Sequence, residues 1–211
     1  MISSVDEAIG QVVAALKAKG ILDNTLILFS SDNGGVAPGK YTDNQPLRAG
    51  KGSIYEGGVR ACAFACWPGK IPAGIRLREP VHAIDWYPTL VQLAGGSLEQ
   101  KLPLDGRDIW PVLTQGAKSP HDALLMAGRS ADHVAVRMGD WKLLLNASDD
   151  DAEDGGKTVK PTGKLELYNL ADDLSEKKNL ANSHPEKVQE LRARKDQFLK
   201  EATAPKGAGS K

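Results

Sequence analysis

The sequence predicts an α/β protein: a layered α/β first half, then a small antiparallel sheet carrying one helix. Three observations predict it. Residues 1–20 follow the helical period and lead into an apolar segment, "ILDNTLILFS". A second apolar run, "VRACAFACW", comes after a long glycine-rich stretch. Beyond a Gly/Lys/Ser/Pro stretch, short strand-like segments recur with turn signals between them.

Taken in order, Ser3 or Ser4 can cap a helix whose apolar positions are Val5, Ile9, Val12, Val13 and Leu16, and Gly20 closes it. Asp6 and Glu7 in its first turn suit the helix dipole. Residues 21–30 are apolar on both faces and predict a fully buried strand, and 59–67 predict a second. Between them, 32–58 is polar and glycine-rich with little periodicity, a length of loop that is usually functional or disordered. Residues 85–94, "DWYPTLVQLA", predict a helix with Asp85 as N-cap, Pro88 in its first turn and Gly95-Gly96 as its stop.

Composition shifts at 114–121, "TQGAKSPH", which predicts a first domain over 1–115 and a small α+β domain over 120–203. Within the second, strands are expected at 123–127, 133–138, 141–146 and 164–168, with "MGD" as a tight turn. A helix is expected from Pro185 with Val188, Leu191 and Phe198 on its apolar side. Residues 204–211 predict a disordered tail. The first half offers only two buried strands, too few for a parallel sheet covered on both faces, so the chain reads as part of a larger domain.

Lys+Arg 27 balances Asp+Glu 27, so no global field draws the chain to nucleic acid or to a membrane surface. Its apolar runs are too short to span a bilayer. No basic leader precedes the first helix, so no signal peptide is expected at Met1. Cys62 and Cys66 would lie about 13 Å apart on one strand face, too far for a disulfide, and read as small buried fillers.

Several motifs fail on inspection. "GGVAPGKY" has the spacing of a phosphate loop, but Tyr41 stands where a hydroxyl must reach magnesium, and "TDNQP" cannot open a helix. The acidic run 149–154 lacks the glycine and glutamate register of a calcium loop and reads as solvated. His82, His121, His133 and His184 have no metal-ligand spacing, so they read as structural or exposed. "NAS" at 146–148 accepts a glycan only in an exporting host.

Asp32-Asn33 can be read two ways. An Asx pair before Gly-Gly makes a turn. It also stands at the end of a strand, where α/β sheets bind ligands, and offers hard oxygen donors suited to Ca²⁺ or Mg²⁺. Downstream, Arg48, Lys51 and Arg60 sit in a glycine-rich frame that suits a tetrahedral oxyanion.

"LFSSDNGG", "NQPLRAGKGSIYEGGVRACAFACWPG", "HAIDWYPTLVQLAG" and "LDGRDIWPVL" resemble, in order, the C-terminal half of the type I sulfatases, the arylsulfatase family. "AVRMGDWKLLLN" and "ELYNLADDLSEKKNLA" resemble that family's small C-terminal domain, so the resemblance covers residues 5–195. It implies an alkaline-phosphatase-like fold: part of a large α/β domain with a mixed sheet, plus a small four-stranded antiparallel domain with a C-terminal helix. The implied activity is sulfuric ester hydrolysis. By the same resemblance Asp32 and Asn33 fall on two ligands of a calcium ion, and Lys51 falls on the lysine that binds the sulfate group. Arg48, Glu56 and Arg60 read as braces of that loop.

The family's nucleophile, a formylglycine made within C/S-x-P-x-R, has no such motif in these residues, nor do its paired metal-site aspartates. The chain therefore reads as truncated before the formylglycine motif, and by itself it is expected not to turn over sulfate esters. A phosphatase or phosphonate hydrolase of the same superfamily is the alternative enzyme, and a non-catalytic truncated product the alternative class. Asn33, where zinc enzymes of that superfamily place a histidine, favours the harder ion. The resemblance leaves the particular sulfate ester, the oligomeric state and the localisation open; relatives are usually periplasmic, secreted or lysosomal.

Overall fold

The computed structural model describes residues 2–36, 42–128, 130, 132–148 and 163–202. In chain order the elements are α1 (Ile2–Ala18), β1 (Ile27–Ser30), α2 (Glu56–Val59), β2 (Ala63–Cys66), α3 (Trp86–Leu93), α4 (Trp110–Gln115), β3 (Leu124–Ala127), β4 (Val134–Met138), β5 (Trp141–Leu145), β6 (Leu165–Asn169) and α5 (Pro185–Glu201). They form two compact units. One holds the residues up to Ser30 together with Cys62–His121, and the other holds Ser31–Ala61 with those from Asp122 on.

In the first unit, α1 ends where expected. Gly20 takes φ 67°, and the amides of Gly20 and Ile21 close back on the carbonyls of Lys17 and Leu16. Ser3 and Ser4 lie inside the helix rather than capping it. The strand expected over 21–30 is shorter: Leu22–Asn24 form a 3-10 turn, and only Ile27–Ser30 extend. β1 pairs antiparallel with β2, Ile27 opposite Cys66 and Ser30 opposite Ala63.

Neither strand is buried. Phe64 is 65% exposed and Phe29 38%, their rings packed on each other at 5.8 Å. Cys62 and Cys66 are exposed as well, not core fillers. Among the described residues this sheet has two strands, and the two phenylalanines find each other across the ladder.

The unit's small core gathers Ile109, Val112 and Leu113 with Trp86 and Trp110. Asp85 organises it in a way the sequence did not suggest. It makes no cap bond to α3; instead its fully buried carboxylate accepts from the backbone amides of His82 (2.7 Å) and Arg107 (2.9 Å) and pairs with His121 Nε2 at 2.8 Å. Thr89 adds a bridge, donating to the Asp85 carbonyl and accepting from the Ile109 amide. Asp85→Ala strands three donors in a buried site. It should lower the stability of this unit by about 2–4 kcal/mol, read as a fall in urea midpoint, against a near-neutral change for exposed Asp23→Ala.

The second unit is a four-stranded antiparallel sheet, β3-β4-β5-β6, with α5. The expected turn closes β4 to β5 through Gly139 at φ 56° and Asp140, with Met138 opposite Trp141. The strands bury both faces. Val136, Leu143 and Leu167 meet Val188 and Leu191 of α5. On the opposite face Ala135, Leu144 and Tyr168 meet Ile54 and Tyr55. The expectations for residues 149–154 and 204–211 lie outside the described residues. Among the described residues no helix is long and apolar enough to cross a membrane.

Candidate functional site

Segment 42–60 is polar and glycine-rich, yet it is held firmly because two of its side chains are core residues. Ile54 and Tyr55 are 2% and 0% exposed and seal the sheet face opposite α5. Each contributes on the order of 1.5–3 kcal/mol by burial alone. Arg48 stacks on the Tyr55 ring at 3.9 Å. It donates to the Tyr168 hydroxyl (2.9 Å) and the Glu176 carbonyl (3.0 Å) and lies 3.8 Å from the Glu166 carboxylate. Tyr55 donates its hydroxyl to Glu166. Burial, reinforced by the Glu166 charge, pushes the Tyr168 phenol up to about 12.

Behind the turn of α2 lies a buried ionic cluster. Lys142 Nζ, fully buried, is 2.8 Å from Glu56 Oε1 and 2.9 Å from Glu176 Oε1. The second Glu176 oxygen accepts the Glu56 backbone amide at 2.7 Å, and Arg60 reaches the second Glu56 oxygen at 2.9 Å. Burial pushes both carboxyls up. In Glu56 the attraction of Lys142 and Arg60 outweighs it and holds the group below the usual carboxylate range. In Glu176 burial wins over Lys142 and the Glu56 amide, with the Glu56 charge adding repulsion, and the group stays above that range. Glu176 also holds φ 51°, a left-handed backbone fixed because both its carboxylate and its carbonyl are engaged.

The strip 33–35 is clamped against this turn. Gly34 donates its amide to the Gly58 carbonyl at 3.0 Å, and Lys51 donates its amide to the Gly35 carbonyl at 3.0 Å. Asn44 closes the clamp, its side chain accepting from the Gly35 amide and donating to the carbonyls of Gly35 and Ala49. A Cβ on Gly34 would stand 1.6 Å from the Gly57 carbonyl oxygen, so backbone lies directly on backbone here.

The three residues singled out from sequence thus fall on one clamped strip and its neighbour. Asp32 and Lys51 are exposed and Asn33 is half-buried. Asn33 donates Nδ2 to the Gly34 carbonyl at 3.1 Å, which leaves Oδ1 as a ligand oxygen. Ser31 Oγ donates to the Asn33 carbonyl at 2.7 Å. Among the described residues no three His, Cys, Asp or Glu side chains gather as metal ligands. Lys142 and Glu176 escaped the sequence reading. A lone lysine inside the apolar "WKLLLN" was a signal of buried pairing, whereas nothing around Glu176 marks it.

A family model described as Sulfatase matches residues 1–97. Mouse Arylsulfatase J is 36% identical over 96% of this chain and 39% of its own length. Human Arylsulfatase A is 34% identical over 89% of this chain and 40% of its own. The crystal structure of Ps i-CgsB superposes with a TM-score of 0.81 at 34% identity, over 98% of this chain and 43% of that one. The chain therefore spans about two fifths of the length of the curated relatives it matches.

Proposed function

Since the chain belongs to the sulfatase family, we propose that it carries part of the site of a sulfuric ester hydrolase, with Asp32 and Asn33 as two ligands of a calcium ion and Lys51 as the cation facing the sulfate. The observation that carries this reading is the clamp. It ties the backbone of Lys51 to Gly35, two residues beyond Asn33, so that the lysine and the two candidate ligands are carried on directly hydrogen-bonded main chain.

The donor set fits a hard ion: one carboxylate and one amide oxygen, adjacent in sequence, with no soft ligand between them. Two oxygens fall well short of the six to eight that calcium takes, so the remaining positions go to water, substrate and other donors. A bound calcium ion would supply positive charge to the sulfate oxygens. Lys51 donates up to three N–H bonds toward the same oxygens and offsets the charge that grows on them as the ester bond breaks.

The test is titration of the 211-residue chain with Ca²⁺ and, separately, with sulfate. Calcium should bind weakly, with Kd of about 10⁻⁴–10⁻³ M. Asp32→Ala should abolish that binding, and Lys51→Ala should weaken sulfate about tenfold while sparing calcium. Calcium affinity unchanged in both Asp32→Ala and Asn33→Ala would overturn the assignment.

A further inference from the structure

We propose that Lys142 and Glu176 are positioning residues for the strip that carries the candidate site: acting through Glu56, they set where residues 33–35 and Lys51 stand. The proposal rests on the functional reading above only for what the strip binds.

The connection is short and runs through backbone atoms. Glu176 holds the Glu56 amide itself at 2.7 Å, not merely its side chain. Two residues on, the Gly58 carbonyl receives the Gly34 amide. The turn between them has no slack. A Cβ on Gly57 would stand 2.3 Å from the Arg48 carbonyl oxygen and 2.4 Å from that of Ala49, and one on Gly58 would stand 2.2 Å from the Ser53 carbonyl oxygen. Strip, turn and loop are therefore three layers of main chain in direct contact, and a displacement of the α2 turn must displace the strip.

Lys142 fixes that turn from the sheet side. It holds the Glu56 and Glu176 carboxylates on one ammonium, 2.8 and 2.9 Å away. Stability alone does not call for this arrangement. Buried ion clusters replaced by well-packed apolar groups are often as stable or more so, whereas an ionic cluster fixes geometry by direction. The site loop is thus registered against β5, which carries Lys142, and the 170–180 loop, which carries Glu176.

The experiment uses the isotope-labelled 211-residue chain and three variants: Lys142→Met, Glu176→Gln and, as control, Val188→Ala. Val188 sits in the α5 cluster on the sheet face away from the site loop, so its truncation weakens the same unit without touching the turn. The readouts are the amide resonances of Asn33, Gly34, Gly35 and Lys51 without any ligand, and the apparent affinity for Ca²⁺ alone. Lys142→Met and Glu176→Gln should shift those four amides and weaken Ca²⁺ binding about tenfold. Val188→Ala should lower the urea midpoint and leave both readouts in place. Strip amides unmoved in the first two variants, or moved equally in the control, overturn the proposal. If Lys142→Met does not fold, Glu176→Gln decides: its amide oxygen can still accept the Glu56 amide, which keeps the chain folded, but it gives up the charge that ties the 170–180 loop to Lys142, and with it the tether of the α2 turn to β5. If the parent chain shows no response to Ca²⁺, the metal assignment fails, and the ligand-free amide shifts still decide the positioning role.

Discussion

Lys142→Met lowers the stability of the sheet unit by about 3–5 kcal/mol at neutral pH, the cost of leaving buried carboxylates without their cation. Glu56 keeps Arg60, but Glu176 keeps no charged partner among the described residues. The pH dependence gives the result a sign that simple loss of packing lacks. In the parent, Glu56 sits below the usual range, so its contribution is present above that range and fades as pH falls through its lowered value. Glu176 sits above the usual range, so its protonation adds stability as pH falls from its raised value toward the ordinary one. Without Lys142 both carboxyls move up. The variant therefore regains stability on mild acidification, and the gap to the parent narrows. Urea midpoints at pH 7.5 and pH 5, taken on both proteins, measure it. A gap that is constant or widens toward pH 5 would show that the cluster is not what Lys142 holds.

Gly34→Ala should be the most damaging change on the strip itself. The added methyl would lie 1.6 Å from the Gly57 carbonyl oxygen and 2.8 Å from its carbon, both main-chain atoms, so no side chain can swing aside to relieve it. Overpacking of this kind costs about 1–3 kcal/mol, and more where the Gly34–Gly58 hydrogen bond also breaks. Its mark would be loss of Ca²⁺ and sulfate binding with the β3–β6 sheet still folded. Gly10→Ala provides the contrast. That methyl meets nothing within 4 Å in the middle of α1, so it should gain about 0.5–1 kcal/mol from helix propensity. A Gly34→Ala protein that binds both ions like the parent would show that the clamp is looser than its distances say.

The sheet unit was legible because its signals are local. Alternation of side chains, the Gly139 turn and Pro185 at the start of α5 each act within a few residues, and each element appears within a residue or two of its expected place. Burial was harder to read. "TLILFS" and "ACAFAC" look like core strands because they are apolar on both faces, yet burial depends on what lies over a strand, and among the described residues β1 and β2 form a sheet of two strands whose phenylalanines stay exposed. The reverse error was available at β5. "WKLLLN" is nearly continuous in apolar residues because both its faces are covered, one by α5 and one by Ile54 and Tyr55. Of the candidate site, Asp32, Asn33 and Lys51 could be picked from residue type and resemblance. The cluster behind them could not, because Glu56 meets partners 86 and 120 residues further along the chain.

That separation also sets a clock for the newly made chain. Glu56 cannot find the carboxylate that caps its amide until residue 176 has been synthesised, 120 residues later. At about 5–20 residues per second, the wait is on the order of 6–24 seconds. For most of it Ile54 and Tyr55 have no sheet to cover, since their partners Ala135, Leu144 and Tyr168 are also still to come. The loop that carries the candidate site is made early and finished late. During that interval Ile54 and Tyr55, which end as core residues, stand in water.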